Sequence, residues 1–265
     1  MKFNPENRFG KVYRGLLKQL EEKGSLVFQQ VDPPELGVDT AGQIAKIAAE
    51  AGIDAFAVGG SVGAQGKLLD DTIIALKENS KLPVILFPGN IATISKHADA
   101  AYFLYMMNSL DPYWITGAQT AASYPIKQLG IEAIPTAYVI VEPGRAVGWI
   151  GRAQPVPRNL PYLAGITALA GQYMGASMVI LESGGGAETP APQDMIAYTR
   201  KLVDIPIVVA GGVRDEKLAY ESILAGADII QVGTAIEKAN GDLSKCRRII
   251  SGLCTAAKKA GKERK

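Results

Sequence analysis

Most of the chemistry this sequence can do lies in three glycine-rich stretches and two acidic residues. Glu182-Ser183-Gly184-Gly185-Gly186, Gly211-Gly212 and Gly233-Thr234 each follow a short apolar run. Glycine lets backbone N–H groups approach an anion closely, and a helix starting just behind aims its positive end at it. The spacing predicts a phosphate cradle, with plain turn formation as the other use of these glycines. A carboxylate at Glu182 would repel that phosphate, so its natural partner is a hydroxyl on the same molecule. That points to a small phosphorylated polyol whose hydroxyl Glu182 orients or deprotonates. Asp32, at the end of the first apolar run, suits a hard cation such as Mg2+ that completes its shell with water and phosphate oxygens. Ser61 would supply a neutral oxygen beside it. The competing readings are a turn cap for Asp32 and a solvated rim side chain for Glu182.

Other reactive residues are few. One histidine, His97, excludes a metal site built on two imidazoles, and its place after Lys96 in a short amphipathic stretch reads as surface or packing. Cys246 and Cys254 fall eight apart on one helical segment, about 12 Å along its axis, too far for a disulfide. Tyr102, Phe103, Tyr105, Tyr113 and Trp114 form the densest aromatic cluster. They are either core or the wall of an apolar groove.

The elements that must position these groups alternate regularly. Short apolar runs at Leu26–Val31, Ala55–Val58, Val84–Phe87, Ala101–Met107, Ile134–Val141, Met178–Leu181, Ile207–Ala210 and Ile229–Val232 alternate with helical stretches. Continuous apolar strands are covered on both faces, as in a parallel sheet. Eight such units in 265 residues predict one (β/α)8 barrel domain over 1–265, with every glycine cluster on the rim that hosts active sites. The segment Ile91–Ala98 is short for a barrel helix, so that unit should be degenerate. Pro143–Pro161 reads as a long functional loop, and the closing lysines read as a solvated basic tail. Hydrophobic residues make up 48% and the net charge is +2, which excludes a disordered chain and gives no basic field for nucleic acid. Nothing near Met1–Gly24 has the apolar core of a signal peptide, and no run is long enough to span a bilayer. A soluble, cytoplasmic protein is expected.

Three longer stretches are more distinctive. Met106-Met107-Asn108-Ser109 with Asp111-Pro112-Tyr113-Trp114-Ile115 and Gly117-Ala118-Gln119 is one. Tyr138-Val139-Ile140-Val141-Glu142-Pro143-Gly144 and Pro155-Val156-Pro157-Arg158-Asn159 are the others. Through them the chain resembles the geranylgeranylglyceryl phosphate synthase family, in its second phylogenetic group, over nearly its whole length. The resemblance implies a barrel with one helix missing or replaced. It implies transfer of a geranylgeranyl group from its diphosphate to the 3-hydroxyl of sn-glycerol 1-phosphate, with Mg2+ and release of diphosphate. That is the first committed step of archaeal ether-lipid synthesis.

By resemblance, Asp32 and Ser61 are the magnesium positions. Ile180, Leu181, Glu182, Ser183, Gly184, Gly185 and Gly186 form the glycerol phosphate loop, joined by Gly211 and Gly212 and by Gly233 and Thr234. Tyr138 would hold the acceptor, Arg152 or Arg158 would close over the diphosphate, and Tyr105, Tyr113 and Trp114 would wall the prenyl groove. A homo-oligomer, dimer or hexamer, is implied as well. The chain departs from the family at Ile180, usually Tyr, at Gly185, usually Ser, and at Thr234, often Asn. These changes either weaken glycerol phosphate binding or signal another phosphorylated acceptor. The alternatives are a heptaprenylglyceryl phosphate synthase, an FMN oxidoreductase, a sugar-phosphate isomerase or a non-catalytic binder of prenyl phosphates.

Overall fold

The computed structural model describes residues 9–239 and 241–264. Expectations about residues 1–8 and about Lys265 lie outside the described residues. Eight parallel strands close into a barrel in sequence order: β1 (Leu26–Val31), β2 (Ala55–Val58), β3 (Val84–Leu86), β4 (Ala100–Met106), β5 (Glu132–Ile140), β6 (Met178–Glu182), β7 (Ile207–Ala210) and β8 (Ile229–Val232). The helices are α1 (Lys11–Lys23), α2 (Pro33–Leu36), α3 (Val38–Ala51), α4 (Gly66–Asn79), α5 (Gly117–Leu129) and α6 (Arg145–Ile150). They continue with α7 (Pro161–Tyr173), α8 (Gln193–Leu202), α9 (Glu216–Leu224), α10 (Thr234–Glu237) and α11 (Leu243–Arg264).

Alternation along the strands sorts the core into two layers. Phe28, Tyr102, Tyr138, Ile180 and Val208 fill the barrel interior. Val27, Phe56, Val139, Leu181 and Val209 face outward, among the helices. Tyr13 and Leu16 of α1 join the interior cluster, so α1 plugs the end opposite the glycine rim. Glu132 fixes it there, accepting hydrogen bonds from the N–H groups of Val12 and Tyr13 at 2.7 and 2.9 Å.

The same end carries a repeated clip. An aspartate just before an even-numbered strand accepts from an N–H of the strand before it. The pairs are Asp54 with Val27, Asp99 with Val84 and Asp228 with Ile207, all at 2.8–2.9 Å. Each aspartate also meets a cation, Lys23, Lys77 and the pair Arg200 and Arg264 respectively. Asp228→Ala strands two arginines and one strand N–H in a mostly buried setting. It should lower unfolding free energy by about 2–3 kcal/mol in urea titration, with turnover per folded molecule unchanged.

One expectation holds and two need adjustment. No helix forms between β3 and β4, where residues 87–99 run as turns and bends; the short unit has lost its helix altogether. The loop at 143–161 contains α6. The basic tail is not a solvated end through Arg264, because α11 runs to that residue, whose guanidinium docks on Asp228, Ala227 O and Gly24 O. The two cysteines are buried and unpaired, as their spacing requires. Among the described residues no helix is long and apolar enough to cross a membrane.

Candidate active site

The C-terminal ends of the strands converge on an open cleft. Asp32 after β1, Ser61 after β2, Tyr138 from β5 and Glu182 from β6 all line it. So do Gly185 and Gly186, Gly211 and Gly212 after β7, and Gly233 and Thr234 after β8. Residues that lie up to 202 positions apart in sequence thus meet at one mouth because a closed parallel barrel brings every strand end to the same rim.

Glu182 is the most constrained of them. It is 4% exposed, with Oε1 accepting from the Gly184 N–H at 2.6 Å and Oε2 from the Tyr138 hydroxyl at 3.2 Å. Burial pushes its carboxyl up to about 7, against the opposing pull of those two donors. Tyr138 is raised well above the usual phenol range by burial and by the neighbouring carboxylate, so it stays a donor. Gly211 makes the arrangement possible. At φ +73 it has no Cβ, and one built there would stand 2.5 Å from Glu182 Oε1 and 2.7 Å from Gly184 N. Gly211→Ala should cost about 2 kcal/mol of stability, read by thermal unfolding.

Strand alternation divides the 180–186 segment. Glu182 faces in, Leu181 lies in the outer layer and Ile180 fills the barrel interior below the cleft. Ser183 is fully buried with its Oγ unpaired, and Gly184 lies behind the two glycines that reach the wall. Ile180 pairs in register with Tyr138, so a phenol stands beside the position where the family usually has one.

Asp32 sits opposite. Burial, and then the negative charge of Glu35, raise it to about 6. Its Oδ1 is buried without a hydrogen-bond partner. Gly60 clears its space, since a Cβ there would stand 2.1 Å from Oδ2. Glu237 lines the same cleft, pushed up to about 7 by burial and by the charges of Asp32 and Glu35. Carboxylates crowded in this way, one with an orphaned oxygen, fit a divalent cation. Among the described residues no group of three or more His, Cys, Asp or Glu is placed to hold a metal ion. A cation here would therefore take most of its ligands from water and substrate oxygens.

The cleft adjoins an apolar groove. The two share Ser61, Pro88, Gly89, Leu104, Tyr138 and Val147. From that junction the groove runs between residues 86–94 and α5, reaching Phe103, Ala122 and Ile126. It occupies the flank left open by the missing helix between β3 and β4.

Of the aromatic candidates, Tyr102 and Phe103 line the groove, and so does Trp114. Tyr113 stacks edge-on against it, ring centroids 5.1 Å apart, without reaching the groove wall. Tyr105 points into the outer layer and donates to Gly171 O at 3.4 Å. Tyr102 serves both roles, lining the groove and bonding Gln231 in the core. Neither expected arginine lines the cleft. Arg158 braces two loops, bonding Glu142 O, Thr189 Oγ1 and Pro190 O, and Arg152 pairs with Asp111 at 3.8 Å. Asn108 likewise ties Ile140 to Gln154, so part of the distinctive motif is scaffolding for the rim.

Sequence reasoning missed Glu237, Gln30, Gln231 and Arg214, all on the cleft wall. Arg214 bonds the carbonyls of Gly186 and Ala187 at 3.1 and 3.0 Å, strapping the glycine loop to the β7 end. Its position two residues after Gly212 was the available signal.

Comparison with known proteins places this geometry. The PcrB family model matches residues 18–252. The geranylgeranylglyceryl phosphate synthase of Thermococcus gammatolerans is 47% identical over 249 residues, 94% of this chain and 98% of that protein. That of Pyrococcus horikoshii is 46% identical over 248 residues, 94% and 97% of the two chains. A crystal structure of (S)-3-O-geranylgeranylglyceryl phosphate synthase from Thermoplasma acidophilum, in complex with substrate sn-glycerol-1-phosphate, superposes with a TM-score of 0.89. It is 31% identical, covering 94% of this chain and 99% of that one.

Proposed function

The chain belongs to the PcrB family, and from that premise we propose that it is a prenyltransferase joining geranylgeranyl diphosphate to the 3-hydroxyl of sn-glycerol 1-phosphate. The observation that carries this reading is the bipartite site, a polar cleft with a glycine cradle opening directly into an apolar groove. A phosphorylated polyol fits the first and an isoprenoid chain the second. The reacting carbon and hydroxyl then meet at the junction, beside Tyr138. A sugar-phosphate isomerase or a flavin enzyme has no use for the groove.

Backbone N–H groups around Gly185, Gly186, Gly212 and Gly233 hold the acceptor's phosphate. Glu182 orients the 3-hydroxyl and takes its proton as the ether bond forms, and a carboxyl near 7 is matched to that task at neutral pH. Tyr138 and Gly184 keep both oxygens of Glu182 fixed, so positioning is settled before the acceptor arrives. Asp32 and Ser61 would hold Mg2+, with Glu237 facing the same space. When bound there, the ion neutralises charge on the departing diphosphate. The apolar wall excludes water from the allylic centre, which favours ether formation over hydrolysis.

The departures at Ile180 and Gly185 are tolerable on this account. Tyr138 supplies a phenol, and backbone groups supply the cradle. A side chain at Gly185 would meet open space, so Gly185→Ser should fold normally and lower the KM for the acceptor. We also read the chain as one prenyltransferase domain working as a cytoplasmic homo-oligomer, by analogy with the family. Donors of increasing isoprenoid length, assayed with sn-glycerol 1-phosphate and separated as butanol-soluble ethers, test the assignment. The geranylgeranyl donor should have the highest kcat/KM; preference for a heptaprenyl donor would reassign the donor while keeping the acceptor.

A further inference from the structure

Arg145 follows the end of β5 by five residues. It opens α6 at φ +48, a left-handed conformation rare outside glycine. Its stem lies on the glycine loop. A Cβ on Gly184 (φ +96) would stand 2.6 Å from Arg145 Cβ and 2.8 Å from its Cγ, and a Cβ on Gly186 would be 3.8 Å from its Nη2. The guanidinium thus reaches the edge of the cradle while its side chain stays exposed. No hydrogen bond or ion pair holds it among the described residues.

The contrast with the other arginines is sharp. Arg214 is fixed on loop carbonyls, Arg158 braces two loops, and Arg152 faces Asp111. The cleft wall carries Asp32, Glu182 and Glu237 against Arg214 alone. A phosphate dianion entering it meets more negative charge than positive. Backbone N–H groups give direction to the phosphate but no net charge, and a guanidinium forks onto two phosphate oxygens.

We propose that Arg145 is a mobile cation that folds over the Gly184–Gly186 loop onto the acceptor's phosphate, and that it sets the preference for a phosphorylated over a neutral acceptor. This rests on the reading of the cleft as a glycerol phosphate site. Two properties suit the role. The long flexible stem is anchored at its base by contact with Gly184, so its reach is limited to the loop. The free guanidinium gives up no existing partner when it closes.

Arg145→Gln and Arg145→Lys test it, with thermal unfolding to confirm that both fold. A charge-assisted hydrogen bond to phosphate is expected to be worth at least about tenfold in affinity. Arg145→Gln should raise the KM for sn-glycerol 1-phosphate about that much more than it lowers kcat, leaving the KM for the prenyl donor alone. Inhibition by inorganic phosphate should weaken by a similar factor, and Arg145→Lys should recover part of both. Unchanged acceptor KM and phosphate inhibition in Arg145→Gln would overturn the proposal. A raised donor KM instead would assign the residue to the diphosphate and overturn it equally. Phosphate binding can be titrated without turnover, so an inactive wild type would sink the prenyltransferase reading while still leaving Arg145 testable.

Discussion

Glu182→Gln is expected to lower kcat by about 10²–10⁴-fold while the protein stays folded and still binds acceptor. The amide keeps the size of the carboxyl and can still accept from the Gly184 N–H or the Tyr138 hydroxyl, but it cannot take a proton. The wild-type pH profile should report the same group. Burial holds the carboxyl near 7, so kcat/KM should fall as pH drops through that value and level off above it. Stability should run the other way. A carboxyl raised in the fold from 4.5 favours the folded state most below its unfolded value, and that contribution is lost as pH rises through 7. Metal-free protein should therefore melt higher near pH 5 than near pH 8, and Glu182→Gln should flatten part of that slope. A variant with wild-type kcat, or a profile with no acid limb near 7, removes Glu182 from the chemistry.

Asp32→Ala is the second large effect. Charge stabilisation by a metal is worth several kcal/mol, which is about a thousandfold or more in rate. The variant should lose that factor together with any response to added Mg2+. Its fold should survive or gain, because the change removes an orphaned buried oxygen and one of three crowded acids. Relief of that crowding should also let Glu237 titrate lower than about 7. Normal metal-dependent turnover in Asp32→Ala would shift the ion to another ligand.

Legibility of the sequence followed the range of the interactions. β1, β2, β7 and β8 were readable residue for residue because each is a short apolar run bounded by Gly, Pro or Asp. The rim was readable too, since the glycine stretches and Asp32 end those runs. The missing helix announced itself as a segment too short to cross the barrel, but not the groove it opens, because groove walls come from β4, α5 and α6 together. Arg158 and Asn108 stood in distinctive motifs and turned out to brace the rim, since a motif marks constraint without saying whether the constraint is chemical or structural. Arg264, Glu237 and Arg145 were illegible for a different reason. The groups they face lie 36 or more residues away, and only closure of the barrel brings them into reach.

The most direct test follows diphosphate release from geranylgeranyl diphosphate in the presence of Mg2+, with and without sn-glycerol 1-phosphate. Release should depend on the acceptor, match formation of a prenyl glyceryl ether one for one, and be far slower with the opposite glycerol phosphate enantiomer. No release, or release at the same rate without acceptor, would contradict a site in which Glu182 and the glycine cradle deliver a hydroxyl to the allylic carbon.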